Sequence, residues 1–359
     1  MSRPILVLLL LVPLAIFGEA LGLPHVVLFF VALGAVVPLA AVISAATEQA
    51  ALAKGPRIGG LLNATFGNVP DLFVGYFGVR AGLLPFVKAT LIGGIISNTG
   101  LVIGLAFLVA GLAYGFPRFD AREAGRHTVL LLLAISGLLL PTLLAATSPA
   151  FASLLELSVG VSIILLLAYL AFVAFSVFGL VGNGSKEPED LSGGVQILAA
   201  AEAEAMRPVW SFPVAVGVLL TAAAALALVT DVLVNTVTPT VHALGWTDTF
   251  VGLVLVANAG NAAEMYAAVA MARKGRLDLL LGIASGSSIQ IATFVAPLTV
   301  LISLFLHPMT LTFTVLQIAI LGVVVAIFSQ VAQDGETNWL EGFQLLAIYA
   351  MAAAVFFFV

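Results

Sequence analysis

Two stretches decide the fold of this chain: Thr65-Phe66-Gly67-Asn68-Val69-Pro70-Asp71 and Asn258-Ala259-Gly260-Asn261-Ala262-Ala263-Glu264. They align without a gap. Counted from the acid of each, glycine stands at −4 (Gly67, Gly260) and asparagine at −3 (Asn68, Asn261). Arginine follows at +9 (Arg80, Arg273), with glycine at +11 (Gly82, Gly275) and +22 (Gly93, Gly286). At +26 both copies are polar, Ser97 in the first and Gln290 in the second. Apolar helices often match by chance; glycine, asparagine, acid and arginine at matched positions do not. The sequence reads as an internal repeat.

Outward from these stretches the chain is overwhelmingly apolar. Of its 359 residues, 62% are hydrophobic and 9% charged, against about 25% charged in an ordinary soluble domain. Mean hydropathy is +1.21. So few polar side chains could not cover the surface of a water-soluble fold of this size. The apolar runs also far exceed the alternating segments of a membrane β-barrel. The composition therefore predicts an all-α integral membrane protein. A span needs ~20 apolar residues. About eleven such segments can be read, near 4–22, 25–46, 58–79, 84–115, 128–147, 151–181, 209–235, 246–271, 278–306, 311–331 and 341–358. Without cysteine there is no disulfide, thiolate metal site or cysteine nucleophile. The net charge of −5 speaks against nucleic acid as a partner; the lipid bilayer is the expected one.

The one long polar stretch, 182–208, contains Lys186-Glu187-Pro188-Glu189-Asp190 and Glu202-Ala203-Glu204. It reads as an acidic cytoplasmic hinge loop. Before it come an extra first helix (1–24) and a five-helix half (25–181, repeat motif 59–104); after it comes a second half (209–359, repeat motif 252–298). Arg3 before a short apolar run resembles a signal peptide, but Glu19 and Gly22 make a poor cleavage site. Orientation follows the basic residues. With the N-terminus in the cytoplasm, inner loops hold Arg3, Lys54, Arg57, Arg118, Arg122, Arg126, Lys186, Arg207, Arg273, Lys274 and Arg276. The outer loops hold only Arg80 and Lys88. The N-terminus is expected inside and the C-terminus outside, in an inner or plasma membrane. The repeats fall on the third and eighth segments, an odd separation, so the copies should cross the membrane in opposite directions. Inverted repeats mark secondary transporters, whose substrate site lies near the bilayer midplane.

A carboxylate inside a membrane helix is unfavourable by at least ~2.5–3.5 kcal/mol on insertion scales, which makes Asp71 and Glu264 functional candidates by default. Positions three apart share a helix face. Thr65, Asn68 and Asp71 would form one stripe, and Asn258, Asn261 and Glu264 its counterpart. Carboxylate, amide and backbone oxygens suit a hard divalent cation such as calcium. Ser97, Ser287 and Gln290 extend this set of metal ligands. Pro70 removes an amide donor and disrupts the helix one turn back, which adds the Phe66 carbonyl. Two protons or one divalent ion leave such a pair of acids near neutral, whereas the empty, doubly charged pair would be unfavourable to move. That exclusivity is a physical basis for exchange.

Other polar residues have blander readings. Ser97, Ser285, Ser287 and Ser288 suit interhelical glue as well as a site. Glu48 and Asp231 stand at span ends just before a repeat, where gating or an interfacial place fits equally. Glu19 and Glu156 read as interfacial, and His25, His127, His242 and His307 as solvated histidines near span ends. The Asn63-Ala64-Thr65 sequon falls inside the membrane and is not expected to carry sugar. No His-Glu-x-x-His pair or phosphate loop lies in the sequence, and no serine–lysine dyad lies within the spans, which argues against an intramembrane hydrolase or an ATP-driven pump. A transporter without a cofactor, not an enzyme, is expected.

The stretch Gly59-Gly60-Leu61-Leu62-Asn63-Ala64-Thr65-Phe66-Gly67-Asn68 resembles the first repeat of the calcium/proton antiporters of the cation exchanger (CAX) family. The second repeat of that family is similar to Gly260-Asn261-Ala262-Ala263-Glu264, with Asp278 and Leu281-Gly282-Ile283-Ala284-Ser285-Gly286-Ser287-Ser288-Ile289-Gln290-Ile291-Ala292. Asn338-Trp339-Leu340-Glu341-Gly342 resembles the stretch before its last helix. The resemblance implies eleven helices, one extra plus two inverted halves of five. It also implies calcium export driven by inward proton flow, with Asp71 and Glu264 as shared calcium and proton sites. Two positions depart from the family pattern. Val69-Pro70-Asp71 replaces Ala-Thr-Glu, and Met265 replaces a histidine, so Pro70 and Met265 are candidates for tuning. The shorter acid keeps two alternatives open, a manganese or other divalent exporter and a sodium-coupled exchanger.

Overall fold

The computed structural model describes residues 7–55, 61–62, 65–148, 152–178 and 209–358. Arg3, Arg57, Lys186, Arg207, Gly59-Gly60, Asn63-Ala64 and the acidic 182–208 loop lie outside the described residues. Every regular element among those described is helical, and the one β-bridge, Arg118 to Glu336, is isolated. In chain order the helices are α1 (Leu11–Phe17), α2 (His25–Lys54), α3 (Val69–Arg80), α4 (Leu84–Tyr114), α5 (Ala121–Thr147) and α6 (Leu154–Phe178). Then follow α7 (Phe212–Leu244), α8 (Asp248–Gly260), α9 (Ala262–Ala272), α10 (Leu277–Ser303), α11 (Val315–Val331) and α12 (Trp339–Phe358).

Among the described residues, seven helices are long and apolar enough to cross a bilayer, or eight if α8 and α9 form one broken span. That is fewer than the eleven expected segments. The difference lies in α1, α3 and α11, which have 7, 12 and 17 residues; α1 and α3 adjoin stretches outside the described set. Span ends also moved. The seventh expected segment was to stop at 235, yet α7 runs on to Leu244 and contains Pro239.

The chain forms two compact units, each assembled from separated stretches. One comprises Met1–Gly94, Ala203–Ala263 and Ala353–Val359, the other Ile95–Glu202 and Glu264–Ala352. In the first, α2 packs along α7. Leu28, Ala32, Ala35, Leu39, Ala46 and Ala50 are buried on α2, and Ala215, Leu219, Ala222, Leu226, Val229 and Leu233 on α7. The spacing of three or four is that of a helix stripe. Alanine on this face lets the helices approach closely, and close packing drives association where lipid is as apolar as the side chains. Gly93 of α4 goes further. A Cβ there would lie 2.5 Å from both Cα and O of Leu253 in α8, and one on Gly252 would lie 2.8 Å from the Phe86 carbonyl oxygen. Backbone meets backbone at that crossing, so glycine is required.

In the second unit, glycines again set the closest approach. A Cβ on Gly104 would lie 2.9 Å from Leu345 Cβ and 3.0 Å from the Gly342 carbonyl oxygen; one on Gly111 would collide with the Trp339 backbone. The loop before α11 is held by hydroxyls: Met309 N donates to Ser303 Oγ (2.8 Å), Leu311 N to Ser158 Oγ (2.9 Å) and Phe313 N to Thr142 Oγ1 (3.0 Å). Buried irregular backbone needs such partners. Thr314 and Gln317 then open α11 with a reciprocal capping box.

Three helices widen locally into π turns, at Ser97–Val102 in α4, Val251–Val256 in α8 and Ile291–Val295 in α10. Such turns are rare and gather at functional sites.

Candidate functional site

The first repeat motif is a helix break. The chain is helical at Thr65-Phe66, turns at Gly67-Asn68, and restarts as α3 at Val69. Asn68 has φ −104° and ψ 21°, in the sparsely populated bridge region where site residues often sit. Pro70 falls in the first turn of α3, where its missing N–H is one that no helix would use. Leu72 N closes the turn on the Asn68 carbonyl at 3.0 Å. Asp71 therefore sits at the positive end of a helix, which favours its negative charge. It is buried at 6% exposure, beside Asn68 at 1%.

The second motif breaks at the same place. Helix α8 stops at Gly260, Asn261 takes φ −87° and ψ 7°, and α9 begins at Ala262 with Glu264 in its first turn. Asn261 is 2% exposed, and its Nδ2 donates to the Gly94 carbonyl at 3.2 Å. Asn258 Nδ2 donates to the Val254 carbonyl at 2.5 Å. Glu264 is half-buried.

These breaks correct one expectation. Spacing alone would align Thr65, Asn68 and Asp71 on a continuous helix face, but the turn at Gly67-Asn68 interrupts that face. Thr65 is exposed and donates to the Leu61 carbonyl at 2.8 Å, whereas Asn68 and Asp71 are buried. Phe66, half-buried, directly precedes the break. Carbonyls at such a helix end carry the negative pole of the dipole and favour cations.

The +26 positions also behave alike. Ser97 opens the π turn of α4, and Gln290 immediately precedes that of α10; both are buried. Ser287 is buried and accepts from Asn98 Nδ2 at 2.9 Å, while the Thr99 and Ser288 hydroxyls lie 3.3 Å apart. Asn98 escaped the sequence reading, although it adjoins Ser97. Its Oδ1 is buried without a hydrogen-bond partner among the described residues, which makes it a further candidate oxygen.

Asp231 is not at the end of its span. It lies inside α7 and pairs with Arg80, the repeat arginine, at 2.7 Å, with Asn235 Nδ2 at 3.4 Å from the same oxygen. Glu48 is exposed, Met265 half-buried and Pro70 buried. Glu19, Glu156, His25, His242 and His307 are exposed. His127 is the exception to the reading of the histidines. It is buried, with Nδ1 at 2.7 Å from Ser285 Oγ, because Asp120 and Asp278 draw the start of α5 onto α10 through a 2.7 Å bond from Asp120 N to Asp278 Oδ1.

A family model described as sodium/calcium exchanger protein matches residues 24–178 and 214–358. The chain is 38% identical over 347 residues to the Ca(2+)/H(+) antiporter ChaA of Bacillus subtilis, covering 96% of each. It is 36% identical to a Ca(2+)/H(+) antiporter of Aphanothece halophytica, covering 98% of this chain and 95% of that one. The crystal structure of the Ca2+/H+ antiporter protein YfkE superposes over the full length of both chains, with a TM-score of 0.84 and 35% identity. The chain thus belongs to the sodium/calcium exchanger protein family, on the cation exchanger branch that its two repeat motifs resemble.

Proposed function

We propose that this protein is a secondary calcium/proton antiporter that exports calcium from the cytoplasm by alternating access. The observation that carries this reading is the matched break at Asn68 and Asn261. Each stops a helix, passes through the bridge region and restarts a helix with an acid in its first turn. Broken helices of this kind aim carbonyl ends at cations, and they coordinate the ions of secondary transporters. Asp71 and Glu264 carry calcium and protons in alternation. Asn68, Asn261, the Phe66 carbonyl, Ser97, Ser287 and Gln290 supply further oxygens, a donor set that suits calcium. Thr65 and Asn258 direct their hydrogens to their own helices, and their side-chain oxygens are the atoms that would ligate.

The relatives named as Ca(2+)/H(+) antiporters over nearly their whole length support this pair of ions. Two inverted halves are supported by the π turns near +26 in both motifs and by the family match on either side of 182–208. In that arrangement α1 is the extra helix, α2 to α6 form the first half, and α7 to α12 the second, with α8 and α9 as one broken span. The N-terminus faces the cytoplasm of a plasma-membrane transporter.

The test is reconstitution into liposomes with separate calcium and pH dyes, under imposed gradients and with calcium, manganese and sodium as the ion panel. A pH gradient is expected to drive calcium against its own gradient with opposed proton movement. Calcium movement that ignores pH and follows a sodium gradient would replace this reading with the sodium-coupled one.

A further inference from the structure

His127 is a buried titratable group for which the exchange scheme so far has no use. It is the seventh residue of α5 and only 8% exposed. Its Nδ1 lies 2.7 Å from Ser285 Oγ, and that hydroxyl donates to the Leu281 carbonyl. A serine hydroxyl has a single hydrogen. Since Leu281 receives it, Ser285 can only accept from His127, so Nδ1 carries the imidazole hydrogen. The neutral ring then holds its lone pair on Nε2.

The same histidine lines a narrow recess, with room for about one water molecule, shared with Asp120, Glu123, Asp278, Leu281 and Gly282. Two of these acids also have structural duties. Asp120 caps α5 by accepting from Arg122 N at 2.7 Å and Glu123 N at 3.2 Å, and Asp278 accepts from Asp120 N. No group of three histidines or acids among the described residues is arranged to hold a metal ion. A cleft lined by one sign of charge still raises the local concentration of its counter-ion. For a hydronium ion drawn to the recess, the one basic atom the neutral ring offers is Nε2.

We propose that His127 is a proton-binding station of the exchange cycle. Nε2 takes a proton from a hydronium ion in the recess, leaving water and an imidazolium that keeps its Nδ1–H bond to Ser285. The proton leaves by the reverse step, from Nε2 to a water molecule, on its way to or from the exchanging carboxylates. Asp120, Glu123 and Asp278 line the recess with the ring, while burial and the neighbouring Arg126 charge work against the imidazolium. From α6, Phe172 stands edge-on at 6.4 Å, Tyr169 stacks on Phe294, and Glu156 is exposed. Neither α11 nor the Ile291–Val295 turn carries a titratable side chain.

The inference rests on the proton-antiport reading, so liposomes holding the native protein come first. Absence of pH-driven calcium movement there overturns that reading and this one with it. Given native exchange, His127→Asn is decisive. Its amide nitrogen takes roughly the place of Nδ1 and can still donate to Ser285, but it cannot titrate. Exchange is expected to slow about 100-fold, the lower end of what a positioned proton-transfer group contributes, with calcium affinity at pH 8 within twofold of native. Native exchange rates in His127→Asn, or a loss of calcium affinity, would overturn the proposal and leave the histidine as helix glue or a cation ligand. Asp278→Asn is the second variant, should the first not fold. It keeps an acceptor for Asp120 N while removing one charge from the recess. Slower exchange at pH 8 than native, converging at pH 6, is expected; identical rates at both would overturn the station.

Discussion

Asp71 lies against Gly260. A Cβ on that glycine would sit 3.5 Å from Asp71 Oδ1 and 3.9 Å from Pro70 Cβ, both ordinary contact distances. The acid of one repeat motif is thus seated beside the glycine of the other. Asp71→Asn and Glu264→Gln are each expected to abolish calcium exchange in liposomes. Both should leave the melting temperature in detergent unchanged or raised, since each removes a charge from a poorly solvated place. Near-native exchange in either variant would remove that acid from the carrier set.

The dependence on pH has a definite sign. Carboxylates must be deprotonated to bind a metal, so calcium affinity should fall as pH falls. The slope is about tenfold per pH unit for each proton displaced, once the acids are protonated in the calcium-free protein. Calorimetric titration between pH 8 and pH 5 checks it. A flat affinity would point to sodium as the counter-ion.

Gly93 and Gly286 occupy the same repeat position but face different surroundings. A Cβ on Gly93 would strike the Leu253 backbone at 2.5 Å, whereas one on Gly286 meets nothing within 4 Å. Gly93→Ala should therefore lower stability by about 1–3 kcal/mol, as overpacking does when backbone cannot yield. Gly286→Ala should leave the melting temperature at or slightly above native, because alanine also favours the helix. Thermal unfolding of the two variants side by side decides the matter.

Met265 follows Glu264 by one residue, about 100° around a helix, and is half-buried. Its thioether can fill space or favour a softer ion than calcium. Met265→His is expected to weaken competition by manganese against calcium and to add a group that titrates near neutral pH. An unchanged ion preference would assign the sulfur to packing.

Most of the fold was legible because spans announce themselves by length and apolarity, and because acids are rare within them. The place of the break was half-legible: Pro70 pointed one turn back, and the turn is at Gly67-Asn68. What the spacing rule could not supply was that the break ends the stripe, leaving Thr65 exposed while Asn68 and Asp71 are buried. Asp231 was misplaced because its span was read as ending near 235, yet α7 continues to Leu244. His127 was misread for a reason of tertiary structure. Its neighbours Arg122, Glu123 and Arg126 suggest a wet helix end, but Asp278, remote in sequence, holds that end down.

The π turn at Ser97–Val102 has a consequence for how α4 tolerates insertion and deletion. A π turn contains one residue more than an α turn, so every side chain beyond it is set about 100° further round. Gly104 and Gly111 meet Leu345, Gly342 and Trp339 of α12 only in that phase. Removing a single residue from 97–102 would restore a regular helix and yet rotate both glycines off α12, bringing bulkier neighbours to a surface that accepts no Cβ. The chain's length between Ser97 and Gly104 is therefore fixed by angle, not by distance: a loss of one residue, harmless to a span by the measure of hydropathy, would unmesh the two helices.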